Sequence, residues 1–192
     1  MIKMHYIGID IGSTASKVSI FNDNELILNF VMPTGWNSKE TSLVIEKKLA
    51  ENGIDLERSK VVATGYGRVS VPYANKTVTE ITCHGKGAYY LLGKDATVID
   101  IGGQDTKIIT LENGKVTNFT MNDKCAAGTG RFLELMANTL GVSIKELSDM
   151  ALLGEDINIT SMCTVFAESE VISLRGNGTN KESIARGILN SM

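Results

Sequence analysis

One ten-residue pattern occurs twice in this chain, and the second copy follows the first by 90 residues. The first reads Ile9-Asp10-Ile11-Gly12-Ser13-Thr14-Ala15-Ser16-Lys17-Val18; the second reads Ile99-Asp100-Ile101-Gly102-Gly103-Gln104-Asp105-Thr106-Lys107-Ile108. In each copy an apolar strand runs to an aspartate and a small-residue turn follows. A Ser or Thr beside a Lys then opens the next strand. A single copy is an ordinary tight turn with glycine at a strained position. Two copies predict two related lobes, each offering a backbone turn and a carboxylate. Turn N–H groups bind phosphate and carboxylates hold a hydrated cation, so a nucleotide phosphate with magnesium is the ligand the pattern suggests.

The segments around the two copies support this division. Apolar alternation predicts strands at 5–11, 16–21 and 25–32, with a turn at Asn22-Asp23-Asn24. Helical spacing at Leu43, Val44, Lys47 and Leu49-Ala50 predicts a helix over 38–51, stopped by Asn52-Gly53. A short strand at 60–63 runs into Thr64-Gly65-Tyr66-Gly67-Arg68, a β-rich run covers 77–82, and a helix follows from about 85 to 92. The opening meander then recurs as strands 96–101, 105–111 and 116–121, with a turn at Glu112-Asn113-Gly114. Helices are expected over 129–140, 144–150, 164–174 and 181–190. Ser143 to Glu146 and Thr179 to Glu182 both match the capping box. The chain therefore reads as two α/β lobes, 1–93 and 94–192.

Composition removes several alternatives. The net charge of -3 suggests no broad nucleic-acid or membrane surface. Asp10 interrupts the first apolar segment, and no run is long enough for a bilayer span, so the cytoplasm is the expected compartment. Three cysteines, Cys83, Cys125 and Cys163, are too few and too odd in number for a disulfide framework.

Chemistry-bearing residues cluster at a few points. Asp10 and Asp100 recur at one place in the repeat, as do Lys17 and Lys107; for Lys107 a solvated strand position is expected. Gly12, Ser13 and Thr14 offer N–H groups and two hydroxyls, while Gly102, Gly103 and Gln104 offer backbone and one amide. Gln104 can orient a water beside a terminal phosphate, and Glu80, read at a strand end, can polarise that water; for each, a solvent-facing side chain is the competing reading. Cys125, in Asn122-Asp123-Lys124-Cys125-Ala126-Ala127-Gly128-Thr129-Gly130, and Cys163, in Ser161-Met162-Cys163-Thr164, each stand ahead of a helix whose dipole favours an anionic ligand. Two thiolates fall short of the four ligands that structural zinc or a cubane iron–sulfur cluster requires, and a twofold dimer would supply two plus two. Two buried small hydrophobes is the alternative. Cys83, next to His84, reads as core or packing, with a Cys-His metal pair the alternative. Arg68 reads equally as a phosphate or interface contact and as a solvated side chain, and Trp36 as a partly buried loop anchor, with a partner surface the alternative.

Taken together these residues resemble the ATP-dependent activators of 2-hydroxyacyl-CoA dehydratases, and more loosely the ATPase subunits of benzoyl-CoA reductases. The resemblance runs through residues 8–17, 63–68, 80–84, 100–105, 122–134 and 163–173, and so covers nearly all of the chain. Its specific part is the two cysteine motifs; the first hairpin alone is shared with sugar kinases, heat-shock ATPases and actin. It implies two ribonuclease-H-like α/β lobes with nucleotide between them, and a homodimer bridged by one [4Fe–4S] cluster held by Cys125 and Cys163 of each subunit. It further implies that ATP hydrolysis drives a low-potential electron, delivered by a donor such as ferredoxin or flavodoxin, into the dehydratase. In that picture the turns formed by Gly12, Ser13, Thr14, Ala15, Ser16 and Lys17, and by Gly102, Gly103 and Gln104, bind the phosphates of ATP or ADP. Asp10 and Asp100 hold Mg2+ through water, and Gln104 or Glu80 positions the attacking water. Family members continue past residue 192 with further strands, a Gly-Gly adenosine motif and closing helices, so an incomplete second lobe with uncovered apolar surface is expected. A small-molecule kinase of the same superfamily and a non-catalytic dimerisation module are the rival expectations.

Overall fold

The computed structural model describes residues 4–123, 125–160 and 163–192. It is a mixed α/β chain of two compact units. The first comprises residues 1–96 and 110–117; the second comprises 97–109 and 118–192.

In the first unit, β1 (His5–Ile11), β2 (Ala15–Asn22) and β3 (Glu25–Pro33) form an antiparallel meander. Two further strands, β4 (Ser59–Thr64) and the two-residue β5 (Lys76–Thr77), add in parallel, giving the order β3-β2-β1-β4-β5. The alternation along β1 buries Ile7, Ile9 and Ile11 on one face, where Ile45 and Leu49 of α1 (Ser38–Glu51) join them. Each such fully buried aliphatic side chain contributes roughly 1.5–3 kcal/mol of transfer free energy. On α1 the buried stripe is Thr41, Ser42, Ile45 and Leu49, while Leu43 and Val44 stay exposed, a different face from the one the spacing predicts. Polar anchoring decides the phase. The Tyr73 hydroxyl donates to the Ser42 carbonyl at 2.8 Å, and the Gly35 N–H donates to Thr41 Oγ1 at 3.0 Å. Burial pushes the Tyr73 phenol up to about 12.

The β-rich run at 77–82 is a second correction. Only Lys76–Thr77 pairs, against Val62–Ala63, and α2 (Glu80–Leu92) begins five residues earlier than the sequence suggests. Glu80 therefore stands in the first turn of a helix, where a carboxylate complements the dipole, and not at a strand end. β-propensity is a weak prior, and here two residues of pairing are all the sheet edge takes.

The second unit carries most of β6 (Thr97–Ile101), β7 (Thr106–Glu112) and β8 (Lys115–Asn122), a three-stranded sheet in that order. Asn113 and Gly114 both have positive φ at the expected β7–β8 turn, which suits a tight hairpin. Four helices follow: α3 (Gly130–Leu140), α4 (Ile144–Ala151), α5 (Thr164–Gly176) and α6 (Lys181–Asn190). Phe132, Met136, Leu147, Ile184 and Ile188 are the largest fully buried members of their shared core. The Ser143–Glu146 capping box forms as expected. At α6 the frame shifts by one residue: Asn180, not Thr179, is the cap, its Oδ1 accepting from the N–H groups of Glu182 and Ser183. Among the described residues, no helix is long and apolar enough to cross a membrane.

Candidate functional site

The two hairpins share a backbone device. In the first unit the Gly12 N–H donates to the Ala15 carbonyl at 3.2 Å; in the second the Gly102 N–H donates to the Asp105 carbonyl at 2.8 Å. These are the same positions of the repeat. Both copies also pair the recurring lysine with the recurring aspartate, Lys17 Nζ with Asp10 Oδ2 at 3.0 Å and Lys107 Nζ with Asp100 Oδ2 at 3.6 Å.

The first turn is braced from behind. Thr34 Oγ1 donates to the Gly12 carbonyl at 2.8 Å and lies 2.8 Å from Ser16 Oγ, and the Thr34 N–H donates to the Thr14 carbonyl at 2.9 Å. Ser16 is fully buried, so its hydroxyl serves the brace, while Ser13 and Thr14 remain exposed at the turn. The loop after β4 presses on the same hairpin. A Cβ on Gly65 would lie 2.3 Å from Asp10 Oδ1 and 2.5 Å from the Ile11 carbonyl oxygen, and Gly65 has φ +82°. Only glycine fits there. The Gly67 N–H donates to the Ile11 carbonyl at 2.9 Å, and Arg68 Nη1 donates to the Gly65 carbonyl at 3.0 Å. Arg68 thus closes its own loop, which neither sequence reading anticipated.

Asp10 opens onto a hollow of about 210 Å³ that Lys17, Thr64, Cys83 and His84 also line. Asp10 Oδ1 is buried and has no hydrogen-bond partner. A carboxylate with one oxygen held by Lys17 and the other unsatisfied suits a hydrated cation, which satisfies it through water. Glu80 lies one helical turn before His84 on α2.

In the second unit Lys107 is buried, with its side chain 3% exposed, and its ammonium lies 2.6 Å from Asp105 Oδ1. This overturns the solvated position expected for it. The cause is the replacement of Ala15 by Asp105 at the equivalent turn position, which supplies a second, buried carboxylate. Gln104 is exposed. The carbonyls of this turn are engaged: Gly102 accepts from the Gly130 N–H at 2.8 Å and Gly103 from the Arg131 N–H at 3.1 Å, so the hairpin caps the start of α3. Thr106 Oγ1 donates to the Gly128 carbonyl, and Asn122 Nδ2 donates to the carbonyls of Cys125 and Ala127 at 3.2 and 3.1 Å. Cys125 and Cys163 are both exposed thiols, which removes the buried-hydrophobe reading. Cys163 is the N-cap residue of α5, but Cys125 precedes α3 by five residues, with Thr129 at the cap. Lys124, Ser161 and Met162, which flank the two cysteines, lie outside the described residues. Two accessible thiols make half of a four-thiolate donor set, so this unit fits a cubane cluster only if a second copy shares it.

Sequence reasoning missed Thr34, Thr64 and Asp105. Asp105 was detectable as the one acidic substitution between the two turns; Thr34 and Thr64 become partners of the first hairpin only through the sheet. Trp36, expected as a loop anchor, is 97% exposed. The bonds of Thr34 and Gly35 hold the two residues before it, and the indole stays in solvent.

Comparison with known proteins adds a family. The profile of the BadF/BadG/BcrA/BcrD ATPase family matches residues 7–192. The 2-hydroxyisocaproyl-CoA dehydratase activator of Clostridioides difficile is 43% identical over 193 aligned residues, covering 98% of this chain and 73% of that protein. The (R)-2-hydroxyglutaryl-CoA dehydratase activating ATPase of Acidaminococcus fermentans is 45% identical, covering 100% of this chain and 75% of its own length. The crystal structure of component A of the A. fermentans (R)-2-hydroxyglutaryl-CoA dehydratase superposes with a TM-score of 0.90 over 98% of this chain and 74% of that one, at 45% identity. The C. difficile activator with bound ADPNP gives 0.88 at 43% identity, over 98% of this chain and 72% of that one.

Proposed function

Because this chain belongs to the BadF/BadG/BcrA/BcrD ATPase family, we propose that it is an ATP-hydrolysing activator that passes a low-potential electron to a 2-hydroxyacyl-CoA dehydratase. The observation that carries the reading is the pair of exposed thiols, Cys125 and Cys163, in the unit whose hairpin turn is hydrogen-bonded to the start of α3 and to Gly128. The relatives named as dehydratase activators support the partner, and the ADPNP-bound relative supports a nucleotide ligand.

In this reading each hairpin turn binds phosphate through its N–H groups, Gly12 to Lys17 in one unit and Gly102 to Gln104 in the other. Asp10 takes Mg2+ through water, and so does Asp100 in its own unit. Gln104 positions the attacking water, with Glu80 the alternative. Cys125 and Cys163, with the same two residues of a second copy, would hold a [4Fe–4S] cluster, which supplies one-electron storage when bound. A ferredoxin or flavodoxin is the matching electron donor. Residues 126–130 link the hairpin to Cys125, so a phosphate that shifts Gly102 and Gly103 shifts the segment that carries the thiol.

Anaerobic reconstitution with iron and sulfide tests this. A brown dimer with about two irons per chain that bleaches on reduction is expected, and Cys125→Ser and Cys163→Ser each lose the colour. A colourless, iron-free protein overturns the cluster assignment. Folded protein that binds no ATP in calorimetry overturns the ATPase assignment.

A further inference from the structure

Thr64, the last residue of β4, stands beside Asp10 in the parallel β1–β4 register. Register partners on neighbouring strands point to the same face, and both residues line the hollow of about 210 Å³. Thr64 is only 7% exposed, and its Oγ1 is buried without a hydrogen-bond partner. Asp10 Oδ1 is the other buried orphan at this point, and the two do not bond each other. A buried hydroxyl left without a partner is costly, so two orphaned oxygens side by side point to a missing shared partner. Gly65 adds no side chain beside them; any Cβ there would fall 2.3 Å from Asp10 Oδ1. The hollow has room for several waters at about 30 Å³ each.

We propose that Thr64 is a cation-positioning residue: Thr64 Oγ1 and Asp10 Oδ1 together hold one water of the hydration shell of a divalent cation. The proposal rests on the reading of the first hairpin as a phosphate-and-cation site. The hydroxyl donates to the water or accepts from it, while the carboxylate accepts. Lys17 occupies the other carboxylate oxygen and so fixes which oxygen faces the water. Valine at this position keeps the shape and removes the anchor; serine keeps the anchor.

The test titrates Mn2+ into the protein with ADP present and counts free Mn2+ by its electron paramagnetic resonance signal. Thr64→Val is expected to weaken Mn2+ binding by about tenfold, the size of one charge-assisted hydrogen bond, and Thr64→Ser to restore it. A thermal melt without metal accompanies the titration. If Thr64→Val melts no lower than wild type, its affinity loss belongs to the missing hydroxyl and not to a damaged fold. Unchanged Mn2+ affinity in a folded Thr64→Val protein overturns the role of Thr64 and leaves the proposed function standing. Wild-type protein that binds ADP but no Mn2+ overturns the cation reading of Asp10 and this proposal with it.

Discussion

The two lysines of the repeat make a controlled comparison, and substituting each by methionine should have very different costs. Lys107 is 3% exposed at its side chain, with Asp105 Oδ1 at 2.6 Å and Asp100 Oδ2 at 3.6 Å; Lys17 is 50% exposed, with Asp10 Oδ2 at 3.0 Å. At an effective dielectric of about 20 the two attractions of Lys107 are each on the order of 5 kcal/mol before the cost of desolvation. That desolvation has already been suffered by Asp105, whose side chain is 6% exposed. Removing the ammonium takes the Lys107 cation away from two carboxylates that both face it. Breaking a buried pair in this way costs about 3–5 kcal/mol. The same change at Lys17 removes a solvent-screened pair, worth about 0–1 kcal/mol. Urea unfolding followed by far-ultraviolet circular dichroism measures both, because each unit carries helices, α1 and α2 in the first and α3 to α6 in the second. Hydrogen exchange of peptides from 97–109 localises the loss. Adding Asp105→Asn to Lys107→Met should recover part of it, since one of the stranded charges is gone. The reasoning fails if Lys107→Met unfolds within 1 kcal/mol of Lys17→Met, or if Asp105→Asn gives no recovery.

Two further expectations concern the first unit. Gly65→Ala and Gly53→Ala both put a Cβ on left-handed backbone, at about 1–2 kcal/mol, but only Gly65 has atoms in the way, whereas nothing lies within 4 Å of a Cβ on Gly53. Gly65→Ala should therefore lower the melting temperature clearly more than Gly53→Ala, and equal shifts would remove the close approach to Asp10 as the reason for glycine. Asp95 accepts from the backbone N–H groups of Gly114 and Asn113, which hold its carboxyl below the usual range. A depressed carboxylate stabilises the fold above the unfolded value of about 4, and that support is lost as pH falls through the lower folded value. The amide resonances of Asn113 and Gly114 should therefore titrate with a midpoint under about 4; a midpoint at or above the ordinary aspartate value contradicts the latch.

Much of this fold was legible because the signals were local. The repeat at residues 9 and 99 announced two hairpins, and Asn22-Asp23-Asn24 and Glu112-Asn113-Gly114 announced turns that the positive φ of Asp23 and Asn113 bears out. What stayed illegible depended on partners distant in sequence. The phase of α1 follows from Tyr73 and Gly35 reaching Ser42 and Thr41, bonds that no hydrophobic periodicity can reveal. The strand-like run 77–82 became helix because the sheet edge accepts two residues and no more. Spacing put Asp10 near the end of a strand and Ser13 and Thr14 in the turn after it, and the structure has them there. The buried state of Lys107 was not, because the alternation of a strand does not say that a neighbouring turn will supply a second carboxylate.

The two hairpins share a backbone but differ in what their side chains do. The seventh position of the repeat is alanine (Ala15) in the first and aspartate (Asp105) in the second, and that difference separates their properties. With Ala15, Lys17 stays half in solvent and Asp10 keeps one buried oxygen unsatisfied, so this hairpin can take a ligand without first breaking a strong internal pair. With Asp105, Lys107 is sequestered and the turn is stiffened from within, while its carbonyls cap α3 and Thr106 holds Gly128. A stiff turn with its outputs fixed to a neighbouring segment transmits a displacement; a turn with a free acceptor captures a ligand. In the proposed reading this asymmetry gives the two copies different tasks, capture in the first and relay toward Cys125 in the second. It follows that Asp105→Ala paired with Lys107→Ser, which makes the second hairpin resemble the first in lacking a buried ion pair, should spare cluster assembly yet reduce the change in the cluster's paramagnetic signal on adding nucleotide. An unchanged nucleotide-dependent signal in that variant would show that the relay runs through some other part of the chain.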